Sequence, residues 1–235
     1  MDGLLIVDKP SGPTSHDVVD VVRRRLGIRR VGHAGTLDPL ATGVLVLLIG
    51  QATKLAGQLL QEDKVYEGRL HLGLTTDTGD AWGRLQATAE YQQVTREALA
   101  AAMARQIGPQ LQTPPPISAV KYHGRPLYAW TRRGIEVPRV ARPITVHALA
   151  LTDFAPPEAG FRLHCSKGTY VRSLIEMVGA EVGSGACVAQ LRRVRAGSWT
   201  IEEAMPWPAV QAMTPSTVAA WLKPLAQVGG LAACR

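Results

Sequence analysis

The sequence predicts an α+β protein built on a mixed, largely antiparallel sheet flanked by helices and loops. Segments of strand length recur along the chain, at residues 3–8, 44–49, 64–74, 143–152, 161–166 and 187–195. Helical patterns fall among them irregularly, at 16–26, 95–108 and 169–182, with no regular strand–helix–strand repeat. Glycine and proline, 23 and 16 in 235 residues, punctuate most junctions and suit hairpins and short connections.

GLLIVD (3–8) reads as a short buried strand, followed by the loop KPSGPTS. Ser15 is the expected N-cap of an amphipathic helix, HDVVDVVRRRL, with Asp17 in its first turn, three arginines in its last and Gly27 as its stop. VLVLLI (44–49) is apolar throughout, as a strand buried on both faces would be. Residues 53–61 suit a short helix. In KVYEGRLHLGL, Tyr66, Gly68, Leu70, Leu72 and Leu74 alternate with Val65, Glu67, Arg69 and His71, the pattern of a half-buried strand. TTDTGDAWG is a loop and 84–91 a returning strand. TREALAAAMARQIG is a helix capped by Thr95 and stopped by Gly108. PQLQTPPPIS is expected to be irregular, because Pro114–Pro116 removes donors and fixes φ. Beyond it ISAVKY suits a strand, HG a turn and PLYAWTRRG a short helix. From Pro206 onward the pattern offers one or two short helices and no strand.

With 46% hydrophobic residues the chain can bury a substantial core. No apolar run approaches the ~20 residues of a membrane span. MDGLLIVDKP lacks the basic start of a signal peptide, so a soluble cytoplasmic protein is expected. Cys165, Cys187 and Cys234 are sparse and odd in number, which fits free thiols rather than disulfides or a zinc site. The formal charge is +7 and unevenly spread. Residues 111–145 hold Lys121, Arg125, Arg132, Arg133, Arg139 and Arg142 against Glu136 alone, whereas 61–110 are acidic by two. A locally basic face suits phosphates, or is simply the solvated surface of a basic protein.

HAGTLDPLATGVLVL (33–47) carries a single acid at the edge of an apolar strand and matches neither common phosphate-loop pattern. Pro39 pushes Asp38 toward an extended backbone. A lone carboxylate on such a stiff loop is either a reactive group or a turn aspartate accepting local N–H bonds. In CSKGTYVRSLIE (165–176) a strand runs into a helix; Lys167 and Arg172 can serve phosphate or pair with an acid, or the segment is an ordinary helix start. In QLRRVRAG, Arg192, Arg193 and Arg195 read as an RNA-facing strand or as a solvated strand edge. There is no G-x-S-x-G, no H-E-x-x-H and no evident pair of catalytic carboxylates, and the six histidines are scattered.

GHAGTLDPLATGVL closely resembles the signature of the TruB family of tRNA pseudouridine synthases. GLLIVDKPSGPTSHD, QATKL, DKVYEGRLHLGLTTDTGDAWG, PPPISAVKYHGRPLYAWTRRGIEVPRVARPITV, HCSKGTYVRSLI and GACVAQLRRVRAG resemble further family motifs and follow in family order. The resemblance spans about residues 1–205. It implies conversion of a T-loop uridine of tRNA, conventionally position 55, to pseudouridine. It implies the pseudouridine synthase fold, no metal or organic cofactor, and the tRNA T-arm stem-loop as partner, with no membrane role and monomer as the default state. Residues 1–205 are then the catalytic domain, including a basic RNA-binding insert at about 111–145, and 206–235 a short helical tail. Most bacterial relatives continue into a C-terminal RNA-binding domain of the PUA type, and no complete one is expected here.

The resemblance also implies roles. Asp38 matches the catalytic aspartate. Tyr66 matches the tyrosine that stacks on the target base, and Arg172 the arginine that pairs with the catalytic acid. Tyr170 and Leu191 match residues lining the base pocket, and His33 the histidine that enters the T-loop. Lys54 and Asp80 occupy motif positions near the RNA, while Lys9 and Pro10 read as mainly structural. A tRNA-binding or folding chaperone with catalysis dispensable is the alternative from another class. A nucleoside hydrolase using Asp38 is a third reading, disfavoured by the lack of a second acid.

Overall fold

A computed structural model describes residues 1–225. The chain runs through β1 (Gly3–Lys9), α1 (Ser15–Leu26), β2 (Val31–His33), β3 (Thr42–Ile49), a 3-10 turn (Gly50–Leu55), α2 (Ala56–Leu59), β4 (Lys64–Leu72), β5 (Leu74–Thr76) and β6 (Leu85–Thr88). It continues through α3 (Arg96–Arg105), β7 (Gly108–Gln112), β8 (Lys121–Tyr122), β9 (Arg125–Pro126), α4 (Leu127–Thr131), β10 (Arg142–Ala155), β11 (Glu158–Cys165) and α5 (Val171–Glu181). It closes with β12 (Ala186–Ala196), β13 (Trp199–Thr200), β14 (Met205–Pro206), α6 (Trp207–Ala212) and α7 (Pro215–Val218). This is the expected α+β class with a mixed sheet. Two compact units divide the chain: a terminal unit, Met1–Val65 plus the residues from Arg192 on, and a central unit, Tyr66–Leu191.

In the terminal unit the strand order is β14-β1-β3-β12, with β2 added to β3 and β13 to β12. β1 and β3 pair antiparallel, Leu5 opposite Leu47. As the unbroken apolar run predicted, β3 is buried at every position from Gly43 to Ile49. Leu4, Ile6, Val44, Val46 and Leu48 form one core cluster, and the alternate residues of both strands face the other side. β3 meets β12 in parallel at Thr42 and Gly43. Gly43 has φ 101°, and a Cβ there would lie 2.2 Å from the Arg193 carbonyl, so only glycine permits this approach.

The cap of α1 differs from expectation. Thr14, not Ser15, is the N-cap, in a capping box with Asp17: the Thr14 hydroxyl accepts from Asp17 N, and the Asp17 carboxylate accepts from Thr14 N at 2.8 Å. Gly27 ends the helix at φ 66°, as predicted. The tail also departs from expectation, because Met205–Pro206 pairs in parallel with β1 at Val7 and Asp8.

In the central unit the order is β12-β4-β11-β10-β7, and β5–β6 and β8–β9 are separate two-stranded hairpins. β10 and β11 form the long antiparallel pair. Residues 108–112, expected to be irregular, form an edge strand antiparallel to β10, with Pro109 opposite Thr145. An edge strand tolerates a missing donor, and the pairing ends before the proline triplet. Gly108 therefore opens β7 rather than stopping α3, whose C-cap is Gln106. The core gathers Leu70, Leu72, Leu99, Met103, Val146, Phe161, Leu163, Leu174, Ile175 and Val178. Cys165 and Cys187 are buried free thiols, and Cys234 lies outside the described residues. Among the described residues no helix is long and apolar enough to cross a membrane.

Candidate active site

Asp38 sits half-buried on the loop between β2 and β3, and several backbone groups around it are hydrogen-bonded. Ser15, released from capping, accepts from Leu37 N at 2.9 Å and donates to Leu37 O at 3.1 Å. The carbonyl of Asp38 accepts from Ala41 N at 3.0 Å, closing a tight turn, and that of Pro39 accepts from Gly12 N at 2.9 Å. Two buried cations bond further carbonyls. Lys9, fully buried, donates from Nζ to Ala41 O at 2.7 Å, Pro10 O at 2.9 Å and Pro39 O at 3.4 Å. Arg193, 1% exposed, donates from Nε to Val44 O at 2.8 Å, from Nη2 to Gly35 O at 3.0 Å and from Nη1 to Thr36 O at 3.3 Å. The loop backbone is thus held at several points from Gly35 to Val44 by bonds to its main chain, which positions the Cα of Asp38.

Of the two, Arg193 departs from the readings made from sequence. Arg193 belongs to neither a solvated edge nor an RNA-facing strand; it is a core residue whose charge is spread over three carbonyls. Its neighbour Arg192 pairs bidentately with Asp8, at 2.8 and 3.0 Å. Burial lowers the Lys9 pKa to about 8, against the opposing pull of the Asp38 carboxylate and with the repulsion of Arg193. His33, paired with Leu47 on β2–β3, has its pKa lowered by burial and by Arg193, so its imidazole is neutral at pH 7. Its Nδ1 is buried without a hydrogen-bond partner. Lys54 is exposed on the 3-10 turn.

The central unit carries the other expected residues. Tyr66 and Leu191 are its first and last residues, and both are buried. Arg172, in the first turn of α5, is 4% exposed; Nη1 donates to Thr78 O and Nη2 to Ile117 O at 3.0 Å. Its Nε lies 3.9 Å from Asp80. Asp80 is itself buried, accepting from Thr78 Oγ1 at 2.8 Å and Trp82 N at 3.1 Å. Glu176, one turn beyond Arg172, has its pKa raised by burial and by Asp80, with Arg172 opposing. The backbone of Tyr170 is gripped by the buried amide of Gln112, which accepts from Tyr170 N at 2.8 Å and donates to Tyr170 O at 3.1 Å. This side chain caps α5 in place of a conventional N-cap.

Gln112, Glu176, Ser15 and the inward turn of Arg193 were missed in the sequence. Nothing local marks them, because each acts on a segment far along the chain. The scattered histidines are also not all separate: His147 and His164 approach to 4.6 Å between ring centroids on β10 and β11.

Comparison with solved structures gives the class. A chain of the Cbf5–Nop10–Gar1 complex superposes with a TM-score of 0.69 at 30% identity, over 88% of this chain and 52% of that one. A chain of an H/ACA ribonucleoprotein bound to a substrate RNA containing 2′-deoxyuridine gives 0.64 at 27%, over 87% and 50%. This chain spans about half the length of those. The architecture is that of the pseudouridine synthases. Residues 23–171 match the model of the TruB family pseudouridylate synthase N-terminal domain. The tRNA pseudouridine synthase B of Syntrophotalea carbinolica is 47% identical, over 92% of this chain and 70% of its own length. That of Opitutus terrae is also 47% identical, over 91% and 88%. The chain belongs to the TruB family of pseudouridylate synthases, a family of isomerases.

Proposed function

We propose that this chain isomerises the T-loop uridine of tRNA, conventionally position 55, to pseudouridine, with Asp38 as the catalytic carboxylate. The reaction breaks the bond from ribose C1′ to uracil N1 and joins C1′ to C5. The base loses a proton at C5 and gains one at N1, so composition does not change and no redox step occurs. One ionised carboxylate suffices: it can attack C1′, attack uracil C6, or remove a ribose proton toward a glycal intermediate. A second acid activating water would divert the sugar to hydrolysis. The observation that carries this reading is the support of Asp38, a lone acid on a loop whose carbonyls are tied down by Lys9 and Arg193. A reacting atom needs positional definition of this kind.

The other roles follow the chemistry of the side chains. A base inside folded RNA must be flipped out at a cost of a few kcal/mol, which stacking on Tyr66 and the pocket residues Tyr170 and Leu191 repays. Arg172 takes the role of the family's motif arginine, and the neutral imidazole of His33 suits insertion among bases. The basic segment 111–145 grips phosphates, and the T-arm of a single tRNA is the partner of a monomer.

The test is pseudouridine formation on an unmodified tRNA transcript, by wild type and by Asp38→Asn. The expected result is product at the T-loop uridine with wild type, and a rate below about a thousandth of it with the variant. Equal tRNA binding by both proteins with product from neither would establish the chaperone reading instead.

A further inference from the structure

The end of α1 and the loop behind it concentrate more charge than any other stretch of comparable length in the chain. Residues 23–30, RRRLGIRR, hold five arginines and no acid. A helix C-terminus favours cations, which accounts for arginine in the last turn of α1. It does not account for Arg29 and Arg30, which lie beyond the Gly27 stop. Nor are all five in the same situation. Arg23 turns inward, pairing with Asp20 at 2.9 Å and donating to Val31 O at 2.7 Å. Arg24, Arg25, Arg29 and Arg30 are exposed.

These four stand on a firm frame. Ile28 N donates to Arg23 O, Val31 N to Arg29 O and Gly50 N to Arg30 O, at 3.2, 3.1 and 2.8 Å. Arg30 Nε donates to Thr53 Oγ1 at 2.8 Å, which ties its guanidinium to the 3-10 turn that carries the exposed Lys54. From Arg30 the chain enters β2 directly and reaches His33 three residues later, ~10 Å along an extended strand. Clustered exposed arginines repel one another, and a polyanion relieves that repulsion by displacing its own counterions.

We propose that Arg24, Arg25, Arg29 and Arg30 form a docking surface for the phosphate backbone of the RNA helix adjoining the reacting loop. The proposal rests on the function proposed above, since it takes the partner to be tRNA. Guanidinium groups suit it because they grip phosphate oxygens in pairs. The surface lies outside the 111–145 segment and adds an independent set of contacts.

The test is the dissociation constant of an unmodified tRNA transcript across a salt series, for wild type and for Arg24→Gln/Arg25→Gln/Arg29→Gln. The expected result is a log–log salt slope shallower by about 2–3 and affinity at low salt reduced by about tenfold or more. A triple Arg→Lys variant should recover most of the slope. Unfolding midpoints for both variants check the fold, and if the triple glutamine variant fails to fold, Arg29→Gln alone should lower the slope by about 0.9. An unchanged slope and affinity in a folded glutamine variant would overturn the docking surface. Pseudouridine formation by wild type, measured on the same RNA, keeps the two readings apart: product with an unchanged slope removes only the surface, and no product removes only the function.

Discussion

The Asp38 loop and the 113–141 segment make opposite uses of positive charge. Under Asp38 the cations are buried and turned on the protein itself, with Lys9 and Arg193 together reaching six backbone carbonyls. In 113–141 the cations are largely exposed and make few, local bonds. Arg125 lies 5.8 Å from the Trp130 ring, Arg132 lies 5.4 Å from Tyr128, and Arg139 donates to Pro114 O at 3.1 Å. The β8–β9 hairpin turns tightly through His123 and Gly124, both at positive φ. The first region turns its cations inward on backbone carbonyls, and the second leaves them at the surface. Charge counted along a sequence does not distinguish these uses, whereas burial and carbonyl acceptors do.

The strongest attempt to break this contrast is Arg193→Ala. It leaves the buried Val44 carbonyl and the part-buried Gly35 and Thr36 carbonyls without this donor and should cost about 2–4 kcal/mol in urea unfolding. A loss below about 1 kcal/mol would mean the guanidinium does not hold the loop. Lys9 sharpens the comparison through pH. Its folded pKa of about 8 lies below the ordinary 10.5, so above pH 8 the folded state sheds a proton that the unfolded chain keeps. Stability from this group is therefore complete above about 10.5 and lost as pH falls through 8, a change on the order of 3 kcal/mol. Unfolding free energy measured from pH 7.5 to 10.5 should carry this upward contribution in wild type and lose it in Lys9→Met. The smallest effect is expected from Arg132→Gln/Arg133→Gln, which should change stability by less than about 0.5 kcal/mol. Its affinity for tRNA should fall several-fold, and a large drop in the unfolding midpoint would show that these cations also hold the fold.

The element types were largely readable because their causes are local. VLVLLI announced a strand covered on both faces, and the alternation from Val65 announced a half-buried one, which ends at Leu72 rather than Leu74 because Gly73 turns the chain at φ 82° and Leu74 opens β5. Thr14 could have been chosen over Ser15 by one rule already in view, since Asp17 stands three residues after Thr14 and so completes its box. β7 was hidden because the prolines beside it argue locally against structure, while its pairing partner lies some 35 residues away. The family motifs drew attention to Asp38, Tyr66 and Arg172, but the supports of the first and last were illegible. An arginine reads as surface until three carbonyls of β3 and the loop before it close around it, and a glutamine reads as loop until it grips Tyr170.

The division of the chain also has a consequence for its birth on the ribosome. The central unit is one uninterrupted stretch, Tyr66–Leu191, and can form as soon as it has left the exit tunnel. The terminal unit is made in two instalments. Its first holds Asp38, and its second brings the C-terminal half of β12 and, with it, Arg193. A nascent chain halted before residue 192 therefore carries the carboxylate without one of its two buried anchors. The loop gains its full support only once residue 193 has been added.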